Sequence, residues 1–166
     1  MAGLTFSAKL EGLEPLLKKL RDPGVEAAAK QHMLRSCQIV RDEAAIRAPA
    51  DTGHLRSSLT FELGAEMKGI TGVVGSPIAY APYMEFGTGR LTDYPGGGKG
   101  SHYPPPAALD LWSSRHGFGD KGGFIVARAI ARRGGLAPRK FLRGAFESKK
   151  GAVEEEMKKT LDDVIR

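Results

Sequence analysis

The sequence predicts an α+β fold: a few short antiparallel strands with one long helix before them and another at the C-terminus. Three observations carry this. Residues 4–10 alternate apolar and polar side chains, the period of a strand with one apolar face. Residues 25–48 repeat apolar side chains every three or four positions, the period of a helix, and residues 141–164 do so again.

Taken in order, Leu4, Phe6, Ala8 and Leu10 alternate with Thr5, Ser7 and Lys9, giving a first strand. Leu13, Leu16, Leu17 and Leu20 then fall at helical spacing, predicting a short amphipathic helix ending near Asp22. Asp22-Pro23 starts the long helix, with an acidic N-cap and a proline at the first helical position. Val25, Ala29, Met33, Cys37, Val40, Ala44 and Ala48 form one continuous stripe, whose alanines let another layer approach closely. Met33 and Cys37 read as core filler on that stripe.

Pro49 stops this helix, because its ring clashes with a continuing helical backbone and it offers no donor. Asp51 and Thr52 bond nearby backbone and Gly53 tolerates positive φ, so 49–53 reads as a sharp helix-to-strand corner. Residues 59–63 alternate, 68–70 can pair across a turn, and 71–75 follow, predicting two or three antiparallel strands. Ser76-Pro77 breaks the run, and 78–86 reads as a short strand or helical turn carrying Tyr80, Tyr83 and Phe86.

Residues 87–106 read as loop, stiffened by Pro104-Pro105-Pro106; 12 of the 22 glycines fall between Gly87 and Gly135. Helices are predicted over 107–116 and 122–133. Pro138 is expected to begin the last helix, with Phe141, Leu142, Ala145, Val153, Met157, Leu161 and Val164 as its stripe and a break at Gly151.

A chain of 166 residues suits one domain with a core of its own. A single cysteine excludes an internal disulfide, and no apolar run approaches the ~20 residues that span a bilayer. The start, Met1-Ala2-Gly3-Leu4-Thr5, lacks the basic and apolar blocks of a signal peptide, so a cytoplasmic origin is expected. Charge is uneven: residues 1–120 hold 13 Lys+Arg and 13 Asp+Glu, whereas 121–166 hold 12 and 6. That basic end suits nucleic acid or, more simply, a solvated helix face.

Two stretches stand out. Ala48-Pro49-Ala50-Asp51-Thr52-Gly53-His54-Leu55-Arg56-Ser57-Ser58 closes the long helix, and Tyr80-Ala81-Pro82-Tyr83-Met84-Glu85-Phe86-Gly87-Thr88 follows the strands. With Pro138, Phe141, Leu142, Ala145 and Phe146 near the end, they resemble the signature of the neck and tail-completion proteins of long-tailed bacteriophages. That family is typified by the tenth gene product of a lambda-like coliphage. The resemblance spans most of the chain and implies one tail domain over 1–166, with an insertion at about 87–137. It implies that both long helices pack on one face of the sheet.

The implied function is mechanical: a virion protein of the neck, assembled in the host cytoplasm. It would form a ring, expected to hold six copies, that completes the tail and joins it to the head connector. The expected partners are copies of itself, neighbouring neck proteins, the head connector and the tail tube, with DNA only as passing genome and no membrane. Tail termination or head closure are related alternatives, and a DNA-binding module on the basic C-terminal third is another. The signature residues are Pro49, Asp51, Thr52, Gly53, Leu55, Arg56, Tyr80, Glu85, Phe86, Gly87, Thr88, Pro138, Phe141 and Leu142. Arg90, Tyr94, Lys99 and Tyr103 mark an interface arm, and Arg128, Arg132 and Arg133 are candidates for transient phosphate contacts.

Other chemistry fits less well. Asp51-Thr52-Gly53 matches the aspartic-protease triplet, but two carboxylates must share a proton and only one copy exists. Gly96-Gly97-Gly98-Lys99-Gly100-Ser101 resembles a phosphate loop, yet glycine follows its lysine and no buried strand precedes it. His32, His54, His102 and His116 show no metal spacing, and no cofactor or enzymatic activity is expected. Arg56 and Glu85 are charges within apolar motifs. Either they face each other, within a subunit or across a ring interface, or both point to solvent.

Overall fold

A computed structural model describes residues 4–8, 23–66, 69–98 and 100–165. The chain forms two compact units, Met1–Ala79 with Phe141–Arg166, and Tyr80–Lys140.

The first unit is α+β. Strand β1, Leu4–Ala8, is followed after residues outside the described set by helix α1, Pro23–Arg47. The short helix expected over 13–20 lies among those undescribed residues, as does the Asp22 cap. All seven stripe residues, six in α1 and Ala48 just beyond its end, are buried. Burying side chains such as Val25, Met33 and Val40 stabilises the fold by roughly 1.5–3 kcal/mol each.

The corner after α1 differs from expectation. A one-turn helix α2, His54–Ser57, lies between Gly53 and the sheet. A single turn is too short to show a period, so sequence pattern cannot reveal it.

Strands β2, Thr60–Glu66, and β3, Gly69–Ser76, follow. Of the stretch read as two pieces, 68–70 and 71–75, residues 69–75 are one strand within β3, and residue 68 lies outside the described residues. The sheet has the order β1-β3-β2, antiparallel throughout. Phe61 and Phe6 both align with Val74, while Leu63 and Ala8 both align with Gly72. Gly72 lets β3 lie close on α1: a β-carbon there would overlap Cys37 Sγ and touch Met33. Arg41 of α1 places its guanidinium 5.6 Å from the Phe61 ring centroid.

Helix α6, Phe141–Ile165, closes this unit. It runs unbroken through Gly151, which faces open space. There glycine costs about 1 kcal/mol of helix propensity, too little to end a helix anchored by packing. The packing of α6 is chiefly along α1, and α1 in turn lies on β3 and β2. Phe141, Leu142, Ala145, Val153 and Met157 are buried.

The second unit is helical and irregular. Helix α3 is Ala81–Phe86, which resolves the strand-or-helix ambiguity, and a 3-10 turn covers Gly89–Leu91. The helix expected over 107–116 is a 3-10 turn, Pro106–Leu109, leading into α4, Asp110–Arg115. A further turn, Gly119–Lys121, precedes α5, Gly122–Arg133, as the sequence predicts. Trp112 stacks on His116 at 4.0 Å. Among the described residues, no helix is long and apolar enough to cross a membrane.

Candidate functional site

The first signature motif is a hydrogen-bonded staple. Gly53 has φ 80°, a left-handed conformation that glycine adopts without a β-carbon clash. It turns the chain so that Leu55 is buried while Asp51, Thr52 and Arg56 stay exposed; Pro49 is half-buried. Arg56 Nε donates to the Ala48 carbonyl at 2.9 Å, satisfying an acceptor left over at the end of α1. Ile78 N donates to Ser76 Oγ at 3.2 Å, and Ser58 Oγ donates to the Leu55 carbonyl at 2.8 Å. The two hydroxyls are 2.8 Å apart. Since Ser58 spends its proton on Leu55, Ser76 donates to Ser58. This relay ties α2 to the end of β3.

The second motif is a clasp between Met84–Arg90 and Gly134–Lys140. Thr88 N donates to the Leu136 carbonyl at 2.9 Å, and Leu136 N returns a bond to Thr88 Oγ1 at 3.0 Å. Arg90 N bonds the Gly134 carbonyl at 2.8 Å, Arg139 N bonds that of Met84 at 2.8 Å, and Lys140 N that of Glu85 at 3.1 Å. Gly87, at φ 73°, has no room for a side chain: a β-carbon would sit 2.5 Å from the Leu136 carbonyl oxygen. One at Gly135 would overlap the Thr88 carbonyl. The expectation that Pro138 begins the last helix is therefore wrong. Residues 136–140 are non-helical and bonded into the clasp, and Lys140 turns the chain with φ 50° before α6 starts at Phe141. Glu85 is only 2% exposed, so it does not point to solvent. Tyr80 and Tyr83 are exposed, Phe86 is half-buried, and Thr88, Phe141 and Leu142 are buried.

The glycine-rich loop after the clasp folds back on α3. Asp93 N and Thr92 Oγ1 both donate to the Phe86 carbonyl, and the Tyr94 ring meets Phe86 edge-on at 5.0 Å. Lys140 Nζ lies 3.3 Å from Asp93 Oδ2. An open depression of about 640 Å³ is lined by Arg90, Thr92, Tyr94 and neighbouring glycines. Arg90 and Tyr103 are exposed; Lys99 lies outside the described residues. Arg128, Arg132 and Arg133 are all exposed on α5.

A cluster that the motifs do not announce lies between α1 and α6. His32 is buried, with Nδ1 2.8 Å from Glu156 Oε1 and Nε2 3.0 Å from Asp163 Oδ2. Arg35 and Lys159 also reach Glu156, at 3.4 and 2.6 Å. A carboxylate on each ring nitrogen favours the charged imidazole, in which both nitrogens donate. Burial opposes that charge, but the bonds to Asp163 and Glu156 outweigh it and raise the His32 pKa. Lys159 and His32 hold Glu156 down to about 2. Glu43 on α1 pairs with Arg47 of the same helix and with Lys149 of α6. Arg47 and then Lys149 lower its pKa against the opposing effect of burial. The partners that cross between the helices, His32 with Glu156 and Asp163, Arg35 with Glu156 and Glu43 with Lys149, lie more than a hundred residues apart in sequence, beyond the reach of any local spacing rule.

This arrangement holds backbone in place. An aspartic-protease dyad needs two carboxylates in contact, whereas Asp51 lies exposed at a turn. No group of three or more His, Cys, Asp or Glu among the described residues is placed to hold a metal.

Residues 11–87 match the family model HK97-gp10_like, described as "Bacteriophage HK97-gp10, putative tail-component". The match takes in the whole first motif and the second as far as Gly87, so the resemblance read from those residues is shown for that stretch. The description names a component of the phage tail. No curated protein and no solved structure matches the chain.

Proposed function

We propose that the protein is a structural component of a phage virion that assembles with copies of itself into a ring at the neck. There it completes the tail and joins it to the head connector, after assembly in the host cytoplasm. The family match over residues 11–87 supports this reading, because that family consists of tail components. The residues of its motifs serve geometry: Gly53, Ser58, Ser76, Gly87 and Thr88 fix turns and close backbone contacts. What remains on the surface is suited to contact. Ile46 is 72% exposed, and Tyr80, Tyr83 and Leu91 are exposed as well. Single apolar side chains at a surface need no explanation, but exposed tyrosines such as Tyr80 and Tyr83 are of the type that anchors protein interfaces. On this reading the chain is one tail domain, with residues 87–137 as an insertion into it. A head-to-tail contact closes into a ring when its rotation divides the circle, and six copies is the number expected.

The test is genetic and microscopic. Phage lacking this gene should accumulate filled heads and unattached tails, and the wild-type chain supplied in trans should restore joined particles. Fully joined, infectious particles without the gene would overturn the proposal.

A further inference from the structure

The basic surplus sits in one short segment. Residues 121–140 contain six Lys+Arg and no Asp or Glu, which equals the net +6 of the whole chain. Helix α6, within the C-terminal third that looked basic in sequence, is no part of it: residues 141–165 carry five basic and six acidic side chains. Three of those lysines are paired, Lys149 with Glu43, Lys150 with Glu154 and Lys159 with Glu156.

The segment's core is α5. Gly122, Gly123, Ala127 and Ile130 form its buried face. Arg128 and Arg132, one turn apart, lie on the opposite face with Phe124, and Arg133 flanks them. All three arginines are exposed, and none forms an ion pair with a described residue. The negative end of the helix dipole accounts for cations in the last turn, such as Arg132 and Arg133. It does not account for Arg128, a turn earlier. Arg90 adds a fourth cation at that end, since its side-chain stem lies beside Gly134.

We infer that the arginine face of α5 is a contact surface for the phosphate backbone of duplex DNA. Guanidinium forks match phosphate oxygens in geometry and charge, and such contacts carry no base preference. Only the identity of the DNA, a genome in passage, rests on the tail reading; the binding itself does not.

The experiment is an anisotropy titration of the full chain against a labelled random-sequence duplex at several salt concentrations from about 50 to 200 mM. Three phosphate contacts predict a slope of log affinity against log salt of about −2.7, at −0.9 for each contact. The triple variant R128A/R132A/R133A should lose at least tenfold in affinity and most of that slope, with its helical circular dichroism unchanged. Arg128→Glu alone should weaken binding severalfold, and K149A/K150A/K158A should leave it unchanged. Absence of binding at 50 mM salt, an unaffected triple variant, or equal damage from the α6 lysines would overturn the inference. So would displacement of the duplex by polyglutamate at equal charge, which would make this face a site for an acidic protein. None of these outcomes depends on whether heads and tails join.

Discussion

His32 on α1 and Glu156 on α6 meet through Nδ1 and Oε1 at 2.8 Å, the one buried ionic bond described between the two longest helices. Truncating one member of such a pair leaves the other's charge buried with fewer partners. His32→Gln keeps a polar side chain but cannot carry the charge. It should cost about 2–3 kcal/mol, less than a fully isolated pair because Arg35 and Lys159 still reach Glu156. A urea midpoint shift at pH 6 with unchanged slope measures it.

The same cluster sets a pH window. The His32 pKa is raised in the fold, so its contribution is fully present below about 6.5 and is lost as pH rises through the raised value. Glu156 is lowered from 4.5 to about 2, so its contribution is present above 4.5 and is lost as pH falls toward 2. Urea midpoints from pH 3 to 9 should therefore fall on both sides of a plateau near pH 5–6. The decline on the alkaline side should be smaller in His32→Gln.

Two left-handed glycines should respond differently to alanine. At Gly53 a β-carbon meets nothing within 4 Å, so only the conformational penalty applies, about 1–2 kcal/mol. At Gly87 the β-carbon also runs into the Leu136 carbonyl and the Pro138 nitrogen. Gly87→Ala should cost more than Gly53→Ala by at least about 1 kcal/mol, read as thermal midpoints of the two variants.

Ser58→Ala removes the acceptor of the Ser76 hydroxyl and should cost about 1–2 kcal/mol. Ser76→Ala removes the acceptor of Ile78 N and should cost a similar amount. If the relay operates as one chain, the double variant should cost less than the two singles together by about 0.5–1.5 kcal/mol. Strict additivity would mean that the two hydroxyls act separately.

How much of this was legible in the sequence follows the range of the forces involved. The apolar stripe from Val25 to Ala48 repeats over many turns, so α1 was readable, down to Pro23 at its first position. Helix α5 was readable for the same reason, and the strands came from alternation and turn residues. Gly53 was readable because few other residues tolerate its φ. Pro138 misled because a proline at a helix start and a proline in a non-helical segment look alike locally. Its role was decided by Thr88, 50 residues away, which holds Leu136 through two bonds. Glu85 and His32 were equally opaque, since burial of a charge is decided by what packs over it. In the sequence His32 was merely a histidine without metal spacing; its partners are 124 and 131 residues further along. The charge imbalance was legible in sign, but counting the last third as one block hid that its surplus lies in residues 121–140 and that the acids and bases of α6 nearly balance.

The bonds from Arg139 to Met84 and from Lys140 to Glu85 also have a consequence for how such a gene can change. They bring the two ends of the stretch between Glu85 and Arg139 to adjacent positions, so a change of length between Arg90 and Gly134 need not displace either stem. Residues inserted or removed there would leave Gly87, Thr88 and Gly135 a fixed collar, held by their own backbone bonds and close contacts.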